Sequence, residues 1–331
     1  MRKRSTIAIL IFLFAASTPA HAWNNCGHMM VAEIAYQELR RDHPETLKAI
    51  LALLKKHPRI HDLEVEAEAH HIHPDDYEHY LFLLAATWPD MVKLTPRKTF
   101  EHNATRFDPE DHREWHYYDL PFNQDGKDHA GLKLDDTIWK SGEKKEPANC
   151  LQALDKCAAE LSNAAATDAE KAKALCWVMH LIGDIHQPLH CATLYSANFP
   201  ESSPFVKGDK GGNLFFLDEK AGRDHYRKEL HAYWDDVLGK SMSLSHINQY
   251  ARHITAIHPR SAVKTDLAEE SSRAWARVSH VLAVEHAYLN GKLELYRDPG
   301  EDYFYAAQHL AEQQIALAGY RLADTLAARM K

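Results

Sequence analysis

Apolar residues recur at helical spacing along almost the whole chain, and patterns suited to strands are rare. The stretches "GHMMVAEIAYQELRRD" (27–42), "YEHYLFLLAATWPDMV" (77–92), "NCLQALDKCAAELSN" (149–163) and "DAEKAKALCWVMHLIGDIH" (168–186) each place apolar side chains on one helical face. "DHYRKELHAYWDDVLG" (224–239), "TDLAEESSRAWARVSHVLAVEHAYLN" (265–290) and the closing 304–330 do the same. "PETLKAILALLKKH" (44–57) opens on a proline, which suits a first helical turn. Only "WHYYDL" (115–120) and "NLFFLD" (213–218) read as strands. Glycine is scarce, at 13 of 331 residues, and no repeat or low-complexity linker divides the chain. The expectation is a single all-α domain.

That domain is expected over 23–331, behind a leader. "MRKR" is a basic opening, "IAILIFLF" a short apolar run, and the small residues end at Ala20-His21-Ala22. This is the layout of a secretory signal peptide cleaved after Ala22, with an apolar run short for a membrane span. The mature chain then begins at Trp23 and is exported, periplasmic or secreted, with no membrane anchor left. Losing Arg2, Lys3 and Arg4 with the leader takes the formal charge from −8 to −11. A broad basic surface for polyanions is thereby excluded, unless bound metal supplies the charge. Export permits disulfides, but five cysteines (Cys26, Cys150, Cys157, Cys176, Cys191) leave at least one unpaired, and no C-x-x-C pair exists. Packing is the expected role of Cys26.

Among 24 histidines, spacing separates a few. In "HLIGDIHQPLH", His180 and Asp184 are four apart and share one helical face. Gly183 leaves room for a close approach to the backbone, and Pro188 ends the helix so that His190 can turn back. A second such pair, His231 and Asp235, follows in "ELHAYWDD". Imidazole with carboxylate suits zinc. One pair alone would read as an ordinary hydrogen bond on a surface helix. Two pairs, flanked by Trp177, Leu181, Tyr233 and Trp234, point to buried surroundings where such groups need partners or a metal. A free α-amino group at Trp23 with its own carbonyl oxygen can chelate an ion as a five-membered ring, and His28 is near enough to close that site.

The order and spacing of "WNNCGH" (23–28), "WPD" (88–90), "WHYYD" (115–119), "HLIGDIHQPLH" (180–190), "GDKGGN" (208–213), "LHAYWD" (230–235) and "QQIALAGYRLA" (313–323) closely resemble the S1/P1 nucleases, zinc enzymes related in fold to zinc-dependent phospholipase C. The resemblance runs nearly the whole mature length. It implies three zinc ions per chain: one on Asp90, His116, His180 and Asp184; one on His190, His231 and Asp235; one on the Trp23 amino and carbonyl groups, His28 and a shared Asp184. Asp90 and His116 carry no such signal by themselves, since "TWPDM" reads as a helix end and "EWHYYD" as a strand. Three zincs outweigh three aspartates, giving a positive pocket in an acidic protein. The implied reaction is in-line hydrolysis of single-stranded DNA and RNA to 5′-phosphate and 3′-hydroxyl ends, with 3′-nucleotidase activity in many relatives. Asp90 orients the attacking water, and the group with His190, His231 and Asp235 serves the departing 3′ oxygen. Tyr117 stands at the base-stacking position, Asp119 where a carboxylate meets the base edge, and Lys93 at a basic position suited to phosphate. A core aromatic and a solvated lysine are the plain alternatives for Tyr117 and Lys93. A monomer is expected.

The fit has gaps. Asn24 stands where the family usually has glycine. The alternative enzyme, a zinc-dependent phospholipase C acting on lipid phosphodiesters, tends to carry Glu where Asp235 stands, and an apolar rim for lipid is not evident. "AHHIHPDDYEHY", with His70, His71, His73, His79, Asp75 and Asp76, reads as an exposed loop rather than a rival metal site. His112 and His186 read as structural. "GDKGGN" lacks phosphate-loop spacing, and it shapes the cleft, with Lys210 a possible substrate contact. Asn103-Ala104-Thr105 is a glycosylation sequon of little weight in a chain with a bacterial style of leader.

Overall fold

The computed structural model describes residues 23–93, 108–123, 145–196, 208–217 and 229–330. The leader and the sequon at Asn103 lie outside them. The described helices are α1 (Asn25–Asp42), α2 (Pro44–Leu54), α3 (Ile60–Ala69), α4 (Tyr77–Ala85), α5 (Trp88–Lys93), α6 (Cys150–Leu161), α7 (Asp168–Ile185), α8 (Leu230–Asp236), α9 (Leu244–Ile257), α10 (Lys264–Leu267), α11 (Ser272–Leu282) and α12 (Glu301–Arg329). The fold is all-α, as the periodicity requires. None of these helices is long and apolar enough to cross a membrane.

α7 is the centre. Its start is fixed by a reciprocal cap: Thr167 Oγ1 accepts from the Glu170 N–H, and Glu170 Oε2 accepts from the Thr167 N–H at 2.8 Å. From Leu175 to Ile185 every side chain is buried, so the helix is enclosed all round by α6, α12, α5, α1, α2 and α11. α1 lies along α12 and also touches α9 and α4. One large apolar cluster contains Trp23, Trp88, Trp177 and the inner face of α12. A smaller one gathers Leu189, Phe215, Trp234, Tyr288 and Tyr303, closed by the Trp234 indole N–H donating to the Tyr303 hydroxyl at 2.9 Å. The helix bearing His180 and Asp184 belongs to the first cluster. The helix bearing His231 and Asp235 belongs to the second.

Two short strands, β1 (Pro121–Asn123) and β2 (Thr193–Tyr195), pair in parallel with Pro121 opposite Thr193. Just before them, the Tyr118 N–H donates to the His190 carbonyl at 2.7 Å. This pairing draws "WHYYD" alongside "HQPLH". The strand expected at 115–120 is displaced. Arg113–His116 form a 3-10 turn, and the Tyr117 carbonyl accepts from the Cys150 N–H at the start of α6, so sheet pairing begins only at Pro121. In 213–218, Phe216 makes an isolated antiparallel bridge to Glu229. The long helix expected over 265–290 breaks before Ser271, which caps α11 through its hydroxyl, and ends in a π turn at Ala283–Ala287. All five cysteines are buried and unpaired, and burial pushes the Cys26 thiol up to about 12. Cys26 is packed in the core, as its sequence context suggested.

Candidate metal centre

Asp184 stands between two sets of histidines. Its Oδ1 lies 3.4 Å from Nε2 of His28, and its Oδ2 lies 3.1 Å from Nδ1 of His116 and 3.3 Å from Nε2 of His180. Asp90, in the first turn of α5, places Oδ1 3.7 Å from His180 Nε2 and 3.8 Å from His116 Nδ1. All five side chains are buried. Two overlapping donor groups result, His28 with His180 and Asp184, and Asp90 with His116 and His180. Burial pushes the Asp184 carboxyl up, but the pull of His180 and contacts from His116, His180 and His28 hold it well below its ordinary range. Burial, opposed by Asp184, lowers His28 to about 4.

The second group is His190, His231 and Asp235. His190 Nδ1–H donates to the His116 carbonyl at 2.6 Å, and His231 Nδ1–H donates to the Gly211 carbonyl at 2.6 Å. A carbonyl can only accept, so each neutral ring keeps its lone pair on Nε2. The two Nε2 atoms face one another at 3.1 Å. Two lone pairs at that distance repel unless a cation sits between them or a ring gains a second proton, and burial lowers the His190 pKa. His180 follows the same rule, with Nδ1–H donating to the Ala86 carbonyl at 2.7 Å and Nε2 facing inward. Imidazoles fixed through one nitrogen by a backbone carbonyl, with the other presented to a shared space, form a typical metal-binding arrangement. Both nitrogens of His28 and Oδ1 of Asp184 are buried without a hydrogen-bond partner among the described residues. The donor set fits zinc-class ions.

Two supporting residues escaped the sequence reading. Gln187 donates from Nε2 to Asp235 Oδ1 at 2.7 Å, while its Oε1 accepts from the Leu189 N–H, so one buried amide both closes the turn and aims the carboxylate. Asp209 accepts from the Leu194 N–H at 2.8 Å and the Tyr288 hydroxyl at 2.7 Å, anchoring "GDKGGN". Gly211, at φ 64°, passes so close to Leu189 that a Cβ would stand 2.6 Å from its carbonyl oxygen. That loop therefore delivers the carbonyl that orients His231. An aspartate in a glycine-rich turn was the only sequence hint.

Trp23 is buried, with its ring near Gly183. Asn24 pins this end to α8. Its N–H donates to the Asp235 carbonyl at 3.2 Å, its Nδ2 to Asp236 Oδ1 at 2.8 Å and the Gly239 carbonyl at 2.7 Å, and its Oδ1 caps α1 at Gly27. The first residues of the domain thus touch the helix of the second donor group.

Tyr117 is 39% exposed beside His116, so a buried core aromatic is ruled out, and partial desolvation with Asp119 nearby pushes its hydroxyl up to about 12. Asp119 is half-buried. Lys93 is only 4% exposed, with Nζ 2.8 Å from Asp90 Oδ1, so it is no solvated lysine. Lys210 is exposed in a left-handed turn. His70, His71 and His73 flank a turn and join no donor group among the described residues. His79 departs from the loop reading, since it lies on α4, stacked on Tyr36 and bonded to Glu33. His112 stacks on Trp115, and His186 bonds the Ile182 carbonyl and Arg321, both structural.

The chain matches the S1/P1 nuclease family over residues 23–331. It is 25% identical to Nuclease S1 of Aspergillus oryzae over 92% of this chain and 91% of that protein. It is 23% identical to Endonuclease 2 of Arabidopsis thaliana over 96% of this chain and 94% of that protein. With Endonuclease 5 of Arabidopsis thaliana it is 26% identical over 46% of this chain, and there it spans about half the relative's length, 50%.

Proposed function

The chain belongs to the S1/P1 nuclease family, and we propose that it is an exported, zinc-dependent phosphodiesterase that cuts single-stranded DNA and RNA, leaving 5′-phosphate and 3′-hydroxyl ends. The observation that carries the reading is the pair of imidazole lone pairs of His190 and His231 facing at 3.1 Å, next to a carboxylate, Asp184, shared by two further donor groups. Three zincs are assigned: to Asp90, His116, His180 and Asp184; to His190, His231 and Asp235; and to the Trp23 terminus, His28 and Asp184. The last assignment requires cleavage after Ala22, with 23–331 as one catalytic domain acting as a monomer. Bound zinc supplies a water acidified toward neutral pH and positive charge for the phosphodiester.

The chain's own residues do the rest. Asp90 orients the attacking water in line with phosphorus. The departing 3′ oxygen faces the His190, His231 and Asp235 side. Tyr117 stacks on a base, Asp119 meets its edge, and Lys93 contacts phosphate. A stacking platform accepts any base but needs it unpaired, which favours single strands. The same arrangement serves removal of 3′-phosphates from nucleotides.

Parallel digestion of single-stranded DNA, duplex DNA, RNA and lecithin tests this, with Asp235→Ala as control. The expected outcome is rapid loss of single strands, slow loss of duplex, intact lecithin, and background rates in the variant. Hydrolysis of lecithin without nucleic acid would support the phospholipase alternative. Near-normal DNA cleavage by Asp235→Ala would refute the second metal assignment.

A further inference from the structure

Histidine and glutamate also converge away from that centre. His258 caps the C-terminal end of α9, and His309 and Glu312 lie three apart on one face of α12. One ligand-competent atom from each lies within 4.8 Å of the others. The two imidazole centroids are 5.2 Å apart. Among the described residues the two rings pack against each other, and no hydrogen bond or ion pair joins any two of the three.

Glu312 and the backbone of His258 are held from behind. The Tyr250 hydroxyl donates to Glu312 Oε1 at 2.8 Å, and the Gln308 amide donates to the same oxygen at 3.3 Å. Glu312 is buried, and among the described residues no Lys or Arg forms an ion pair with it. A cation beside a buried carboxylate offsets part of its desolvation cost. The His258 N–H donates to the Ile254 carbonyl at 2.8 Å, and its own carbonyl accepts from the Tyr320 hydroxyl at 3.0 Å. Its Nε2 is buried with no hydrogen-bond partner. His309 is exposed, so water can reach the group and complete a coordination shell.

We propose that His258, His309 and Glu312 form an additional divalent-cation site of the zinc class, with two imidazoles, one carboxylate and a position open to solvent. The ion ties the end of α9 to α12. Both helices pack on α1, which carries His28, so the site braces the frame of the principal centre without contributing to its chemistry. Binding only the folded chain, the ion stabilises it by mass action. The site does not depend on the nuclease reading.

The test uses the full exported protein and its variants His309→Ala and Glu312→Gln. Each is equilibrated in zinc buffers from nanomolar to high micromolar free metal, and zinc per chain is counted by mass spectrometry. Wild type is expected to hold one more zinc than either variant, and to gain a further zinc-dependent rise in melting temperature, beyond that from the principal centre, that both variants lack. Cleavage of single-stranded DNA by His309→Ala stays at the wild-type level. Equal zinc content in all three proteins at every concentration would overturn the proposal. If Glu312→Gln fails to fold, the exposed His309→Ala still decides it. Loss of the principal centre would appear instead as loss of wild-type DNA cleavage, which separates the two failures.

Discussion

The imidazole of His28 occupies the space where a side chain on Gly183 would begin: a Cβ there would stand 2.8 Å from His28 Nδ1 and 3.1 Å from Cε1. The same ring stacks on His180, with centroids 3.9 Å apart and planes 18° from parallel. One glycine in α7 thus lets the His28 imidazole from α1 reach the space beside Asp184.

Gly183→Ala should therefore disable the centre. Alanine gains up to about 1 kcal/mol of helix propensity. Overpacking against a fully buried ring costs about 1–3 kcal/mol and displaces His28. Zinc affinity at the His28 group should fall by about 10–100-fold. Competition with a zinc chelator measures this, and a variant that is more stable and retains wild-type affinity would contradict the packing argument.

Lys93 and Asp90 form a buried pair at 2.8 Å. Removing one partner of such a pair typically costs about 3–5 kcal/mol. Zinc on Asp90 would neutralise the carboxylate that Lys93 otherwise balances. Lys93→Met should therefore lower the melting temperature strongly in chelator and only weakly in zinc. An equal drop in both would show that Asp90 does not hold metal.

Tyr117→Ala should raise KM on single-stranded DNA with a smaller effect on metal content. One base–aromatic stack contributes about 1–3 kcal/mol. Tyr117→Phe keeps the ring and should behave like wild type. If Phe is as impaired as Ala, the hydroxyl rather than the ring face is what matters.

Asp209 gives a pH signature. Burial raises its carboxyl from 3.8 to about 6 against the bonds it accepts. An acid that holds its proton more tightly when folded stabilises the fold below the ordinary carboxylate range. That contribution is lost as pH rises from about 4 through about 6, and its size is on the order of 3 kcal/mol. Denaturant unfolding with metals chelated, comparing wild type with Asp209→Asn, should show the variant lacking this decline. A wild-type slope equal to the variant's would place Asp209 at an ordinary pKa.

Regular spacing made half of the centre legible in the sequence. His180 with Asp184 and His231 with Asp235 sit at i,i+4 on helices, and Pro188 turns His190 back toward them. Asp90 and His116 carry no periodic signal, since one lies in a six-residue helix and the other in a 3-10 turn; resemblance alone singled them out. The helical class followed from apolar spacing. The breaks at Ser271 and the π turn after Leu282 depend on local hydrogen bonds that spacing does not encode. The three-residue parallel pairing of β1 with β2 joins segments 72 positions apart, Pro121 with Thr193, and no local pattern announces it. Gln187 acts on Asp235 through one long-range bond and Asp209 anchors its loop through bonds to Leu194 and Tyr288, which is why their roles emerged only in three dimensions.

Anomalous diffraction at the zinc edge, from crystals of the exported protein, addresses the central assignment most directly. Three peaks are expected in the principal centre: one among Asp90, His116, His180 and Asp184, one among His190, His231 and Asp235, and one bonded to the amino group of Trp23, His28 and Asp184. Zinc absent from these groups, or a Trp23 nitrogen still joined to Ala22 and lying away from any ion, would contradict it.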